Sequence, residues 1–169
     1  MAEAVDFLLA DEPAEVIRRF RARLATVSWP VPDTDPSIRL AMANAIPKPV
    51  RERLAADLRL LVLPELWLAT IGNALTGEPQ LVLTAVPDAE LLDAHTVVHD
   101  ALAGKVKGAA ARYLPGQWVP HCTLTRELTY PQVGRAMSNL GAIRPLRAQV
   151  AAVGITDTRT GIFHPLRGA

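Results

Sequence analysis

One cysteine, Cys122, occurs in the 169 residues of this chain. That excludes an internal disulfide and any metal cluster built on cysteines. An excess of either charge is missing too. The 18 basic and 17 acidic residues leave a net charge of +1, far from the basic surplus of a non-specific nucleic-acid coat. A long apolar run is also lacking. The best candidate, Leu58 to Leu75, is interrupted by Arg59, Pro64 and Glu65, too broken for a membrane span. The start, Met1 to Asp6, lacks the basic residues of a signal peptide. A soluble cytoplasmic protein with no membrane partner is expected. Lysine is scarce: 15 of the basic residues are arginine. With abundant Ala and Pro, this points to GC-rich bacterial coding. Half the residues are hydrophobic, so the chain can bury a core, as one domain or as two small lobes sharing it.

Periodicity predicts two successive strand–helix–strand–helix–strand units. Val5 to Ala10 reads as a buried strand, and Pro13 suits the first turn of a helix carrying Val16, Ile17, Phe20 and Leu24. Arg18, Arg19, Arg21 and Arg23 are placed around the rest of it. Ser37 to Ala43 is a strand, Pro49 to Asp57 a helix, and Leu60 to Leu63 and Leu66 to Ile71 are strand-like. A turn at Gly77-Glu78-Pro79 restarts the order. Leu81 to Val86 is a strand, and Asp88 caps a helix over Ala89 to Ala103. A Gly/Ala-rich loop runs from Gly104 to Gly116. Trp118 to Thr125 is a strand, Pro131 to Leu140 a helix and Gln149 to Ile155 the last strand. One bilobal domain over 1–169 is expected, with repeats over about 4–75 and 81–155.

The stretch Trp118-Val119-Pro120-His121-Cys122-Thr123-Leu124 carries the chemistry. On a strand, His121 and Thr123 point to one face and Cys122 to the other. A histidine beside a hydroxyl on a rigid strand is a proton-transfer group next to a phosphate anchor. Pro36-Ser37-Ile38-Arg39-Leu40 occupies the same place in the first unit, with both key residues replaced.

These features resemble the two-histidine (2H) phosphoesterase superfamily, which includes proteins named as 2′-5′ RNA ligases and RNA cyclic phosphodiesterases. The lead-in from Tyr113 to Val119 is similar to that of bacterial members, and the resemblance runs from about Val5 to Ile155. It implies a bilobal α+β fold. Two pseudo-symmetric antiparallel sheet lobes, with helices outside, would face each other across a central cleft. It further implies two His-x-Thr/Ser motifs, one per lobe, acting on 2′,3′-cyclic phosphates or 2′-5′ linkages without a metal or other cofactor. One histidine takes a proton from the nucleophile, the other gives one to the leaving oxygen, and the hydroxyls hold the phosphate. His121 and Thr123 fit the second motif as catalytic residues. The first is altered to Ser37 and Arg39, and no histidine precedes His95.

Ser37 can hydrogen-bond a phosphate but is no neutral-pH acid or base. Arg39 offers a forked donor for phosphate oxygens, and Arg126 lies just beyond the second motif. These three are the expected phosphate-binding residues. A surface pair on a strand is the bland reading of Ser37 and Arg39, and a solvated arginine that of Arg126. The expected partner is a phosphorylated nucleotide or RNA terminus, bound by a monomer. Three functions stay open: a phosphodiesterase with Arg39 or water replacing the lost histidine, a pseudoenzyme that binds nucleotides or RNA ends, and a domain kept for protein contacts.

Other candidates read as structural. His95 and His99 have zinc-binding spacing, but Thr96 stands where the zinc-protease pattern needs Glu; solvated helix histidines are expected. His164 is expected to be peripheral, and Cys122 to be a buried, inert thiol. Trp118 and Tyr113 can stack a base, although core packing is the commoner fate of Trp. Lys105 and Lys107 form either a basic lip over the ligand or a plain solvated loop.

Overall fold

A computed structural model describes residues 2–74 and 78–168, so Gly77 of the expected turn lies outside the described residues. The chain runs β1 (Glu3–Leu9), α1 (Asp11–Ala25), β2 (Ser37–Ala43), α2 (Lys48–Leu58), β3 (Glu65–Asn73), β4 (Leu81–Ala85), α3 (Ala89–Leu102), a 3₁₀ turn (Ala111–Tyr113), β5 (His121–Thr125), α4 (Tyr130–Leu140), β6 (Leu146–Asp157) and β7 (Phe163–Gly168). Local chemistry sets the helix starts. Asp11 and Glu12 in the first turn of α1 face its positive end. The Asp88 carboxylate accepts from the Leu91 N–H at 2.9 Å at the start of α3. Thr129 and Gln132 form a capping box on α4.

The strands are antiparallel, in the order β2-β1-β6-β3-β4-β5, with β7 added to β6. The twelve-residue β6 joins the lobes: Leu146–Gln149 pair with β3, and Val150–Asp157 pair with β1. The two end strands of this order, β2 and β5, nevertheless contact each other, so the lobes fold together around a cleft. Apolar residues of the sheet pack under the helices: Ile17 and Leu24 of α1, Leu54 and Leu58 of α2, Leu91 and Val98 of α3, and Ala136 and Leu140 of α4 are all buried. Among the described residues no helix is long and apolar enough to cross a membrane.

The pseudo-symmetry holds at the level of single hydrogen bonds. Phe7 pairs with Ile38 in β1–β2, as Leu83 pairs with Cys122 in β4–β5. Each ladder skips one residue at the same place. Between Val5 and Asp6 the partner jumps from Ala41 to Arg39, and between Leu81 and Val82 it jumps from Thr125 to Thr123. The leucines passed over, Leu40 and Leu124, are both fully buried. The Leu9 N–H donates to the Pro36 carbonyl at 3.1 Å, and the Ala85 N–H to that of Pro120 at 2.9 Å. Ser37 is thus the counterpart of His121, Arg39 of Thr123 and Asp6 of Val82. The third strand of each unit is exchanged, β3 pairing with β4 and β6 with β1.

Three expectations are corrected. Leu60 to Leu63 is not a strand: α2 closes at Leu58, and Leu60 and Val62 are 87 % and 77 % exposed. Pro64 then separates this segment from β3. The last expected strand, β6, is followed by another, β7. It was hidden by Pro165, which lacks the N–H for a central ladder but is tolerated on an edge. The strand expected from Trp118 begins only at His121.

Candidate active site

Alternation on β5 buries Cys122 and Leu124 completely and leaves His121 and Thr123 half-buried on the cleft side. On β2 the same alternation buries Ile38 and Leu40 and turns Ser37 and Arg39 toward the cleft. The four motif residues therefore line one open cavity of about 340 Å³, together with Arg112 and Tyr113. Arg21 and Arg126 contribute to its wall, as do Glu78 and Glu127. Four arginines against two glutamates, with Asp6 paired to Arg39, leave its wall net positive.

His121 is held in one orientation. Its Nδ1 lies 2.7 Å from the Val119 carbonyl, which can only accept, so Nδ1 carries the proton. In the neutral ring the lone pair is then on Nε2. Burial, followed by the positive charges of Arg112 and Arg39, holds its pKa below the usual histidine range despite the bond to Val119. A neutral imidazole with an open Nε2 is a base, not an acid, at pH 7. The Thr123 hydroxyl donates to the Gln80 side-chain oxygen at 3.4 Å, a long bond.

The other half of the cleft differs from expectation. Arg39 does not present a free fork. Its Nε and Nη2 donate to Asp6 Oδ1 and Oδ2 at 2.9 and 3.0 Å. Asp6 is 2 % exposed, a carboxylate in an otherwise apolar strand. Burial opposes the charge on Arg39, but the charge and hydrogen bonds of Asp6, with a smaller contribution from the Tyr113 hydroxyl, outweigh it and raise its pKa. The physical reason for the correction is this buried carboxylate, which claims both donors on one side of the guanidinium. Nη1 and the second Nη2–H are left over. Removing one partner of such a pair strands the other. Asp6→Ala is expected to cost about 3–5 kcal/mol of stability, read from urea unfolding. The paired change Asp6→Val with Arg39→Thr, copying the residues at 82 and 123, is expected to recover most of it. Equal stability of Asp6→Ala and the unaltered protein would show that water screens the pair.

Arg21 is a further site residue, not expected from the sequence. It is 6 % exposed and reaches from α1 under β5. Its Nε and Nη2 donate to the Thr123 carbonyl at 3.1 and 2.9 Å, and its Nη1 to that of Thr34 at 2.6 Å. Burial pulls its pKa down, partly offset by the Cys122 sulfur. It fastens the strand of His121 to the loop before β2. A signal was present: positions 17, 21 and 24 share one helix face, and Ile17 and Leu24 are core residues.

His95 and His99 are not solvated. The His95 ring stacks on Trp118 with centroids 4.0 Å apart, and its Nε2 is 2.8 Å from the Tyr113 carbonyl. His99 Nε2 is 3.1 Å from the Leu40 carbonyl. The indole of Trp118 donates to the Arg39 carbonyl at 2.9 Å. Together these side chains tie α3 and the lead-in of β5 to β2, so Trp118 is a brace between the lobes. No group of three or more His, Cys, Asp or Glu suited to a metal occurs among the described residues. Lys105 bonds back to the Ala101 carbonyl and Lys107 pairs with Ala45; neither lines the cleft. His164 is exposed on the edge strand β7. Cys122 is fully buried, and burial pushes its thiol pKa up. Arg126 is exposed at the cleft rim and also borders a polar recess beside β1.

No family model and no curated protein matches the sequence. The fold does have solved counterparts. E. coli LigT in its apo form superposes with a TM-score of 0.64 at 18 % identity, over 98 % of this chain and 94 % of that one. LigT complexed with 3′-AMP gives 0.60 at 16 %, over 98 % and 94 %. TT0787 of Thermus thermophilus gives 0.62 at 17 %, over 99 % and 96 %. The chain has the LigT fold along its whole length, the bilobal α+β architecture that the resemblance to the two-histidine phosphoesterases implied.

Proposed function

We propose that the cleft binds the phosphate of a nucleotide or RNA end and slowly hydrolyses 2′,3′-cyclic phosphates, with His121 as its one histidine. The observation that carries this reading is the fixed orientation of His121: Nδ1–H bound to Val119, Nε2 open, the ring neutral, in a cleft of arginines. Fixed donors aimed at developing charge are the main resource of such a site. The free Nη1 of Arg39, the exposed guanidiniums of Arg112 and Arg126, and the hydroxyls of Ser37 and Thr123 supply them. Water positioned by Nε2 attacks phosphorus; the imidazole takes its proton. A second histidine that would protonate the leaving oxygen has no place at Ser37, and a lost acid typically costs about 10²–10⁴-fold. Turnover is therefore slow. LigT binds 3′-AMP, and the anionic cleft here suits a ligand of that class.

The pseudoenzyme reading is favoured by one observation, the commitment of Arg39 to Asp6, which gives the first half a static role. Both readings meet in one experiment: hydrolysis of 2′,3′-cyclic AMP followed by chromatography, with calorimetric titration of 3′-AMP. Slow turnover inhibited by 3′-AMP is expected. Binding without turnover would leave the pseudoenzyme, and neither binding nor turnover would sink both.

A further inference from the structure

The lost histidine leaves the cleft without its expected acid, and Tyr113 places a phenol in that cleft. Tyr113 ends the 3₁₀ turn and is 7 % exposed. It lines the anion cleft together with His121 and also borders the apolar recess beside it. Arg39 lines the same cleft, and the Arg112 guanidinium sits 5.0 Å from the ring centre of Tyr113. The backbone of this residue is fixed as well, because its carbonyl bonds His95 Nε2 at 2.8 Å. The partner it faces, Arg39, is fixed through Asp6 and through the Trp118 indole on its carbonyl. A buried tyrosine that lines a cleft of arginines and carries a guanidinium on its ring is a placement that core packing alone does not require.

We infer that Tyr113 is the general acid of this cleft, in place of the missing histidine. The inference rests on the phosphodiesterase reading above. The step balances. A water oxygen forms a bond to phosphorus while His121 Nε2 takes its proton. The bond from phosphorus to the ribose leaving oxygen breaks, and the Tyr113 hydroxyl proton moves to that oxygen. The phenolate left behind faces Arg39, with Arg112 on its ring, and opposite charges in a partly dry site stabilise it. Proton return from the imidazolium through solvent resets both groups. Arg39 then has a second use beyond its ion pair with Asp6: it carries the negative charge of the phenolate.

The test varies the leaving group. Ribose oxygen needs a proton to depart, whereas p-nitrophenolate does not. Tyr113→Phe is expected to lower kcat on 2′,3′-cyclic AMP by about 10²-fold or more. On a p-nitrophenyl ester of a nucleoside 3′-phosphate it is expected to keep nearly the full rate, with affinity for 3′-AMP unchanged. His121→Ala, measured beside it, is expected to abolish turnover of both. Equal losses on both substrates would mean that Tyr113 is structural and overturn the assignment. So would full activity of Tyr113→Phe on the cyclic substrate. If His121→Ala leaves both rates untouched, the phosphodiesterase reading itself fails and the acid role falls with it. The three failures differ and can be told apart.

Discussion

His121→Ala is expected to remove hydrolysis of 2′,3′-cyclic AMP, by about 10²–10⁴-fold for the lost base, while 3′-AMP still binds. Binding survives because the arginines and the hydroxyls of Ser37 and Thr123 stay in place. The pH dependence follows from the same residue. A base works only when neutral, so kcat/KM falls as pH drops through the pKa of His121. That pKa lies below the ordinary histidine range because the ring is partly buried and faces Arg112 and Arg39. The acid limb should therefore sit below the range of a free imidazole, and activity should persist into mildly acidic buffer. Replacing Arg112 with Gln removes one of the positive charges and should move the limb upward. Stopped assays across a pH series on the two proteins decide this. A limb that stays put in Arg112→Gln, or turnover that survives His121→Ala, would take proton transfer away from His121.

How much of this was legible before the structure depends on the range of the interactions. The two motif strands were legible because alternation is local: His121 and Thr123 point one way and Cys122 and Leu124 the other, whatever the partner strand. The alignment of Pro36–Leu40 with Pro120–Leu124 was also legible, and the matched one-residue skips in the two ladders give it a structural basis. Partnerships across the chain were not. Arg39 is 33 residues from Asp6, and no periodicity connects them. The clue was a single carboxylate in the apolar run VDFLLA, since a charge in a buried strand requires a counter-charge. Arg21 was misplaced for the opposite reason. Four arginines on one helix were all placed away from its apolar positions, although Arg21 alone shares a face with Ile17 and Leu24. His95 and His99 were placed in solvent because their acceptors, the carbonyls of Tyr113 and Leu40, are backbone groups brought in by the fold.

The pseudo-symmetry supplies a design whose expected effect is a gain. Converting the first half into a copy of the second takes three changes: Ser37→His, Arg39→Thr and Asp6→Val. Each new residue is the one at the equivalent ladder position, 121, 123 and 82. Asp6 has to change with Arg39, because a carboxylate 2 % exposed without its guanidinium is a buried unpaired charge. Pro36 already matches Pro120, and the Leu9 N–H already bonds the Pro36 carbonyl as the Ala85 N–H bonds that of Pro120, so the backbone for a second histidine is in place. An imidazolium is a stronger acid than a phenol and sits nearer the optimum for proton transfer at pH 7. The triple variant is therefore expected to hydrolyse 2′,3′-cyclic AMP on the order of 10²-fold faster than the unaltered protein. Ser37→His alone should gain less, because Arg39 stays beside the new ring and disfavours its protonated form. The comparison also bears on Tyr113. Once a histidine protonates the leaving oxygen, Tyr113→Phe should lose most of its effect in the triple background while keeping it in the native one. A triple variant that unfolds at the native temperature yet shows no gain would mean that the two halves share backbone geometry without sharing a line of attack on phosphorus.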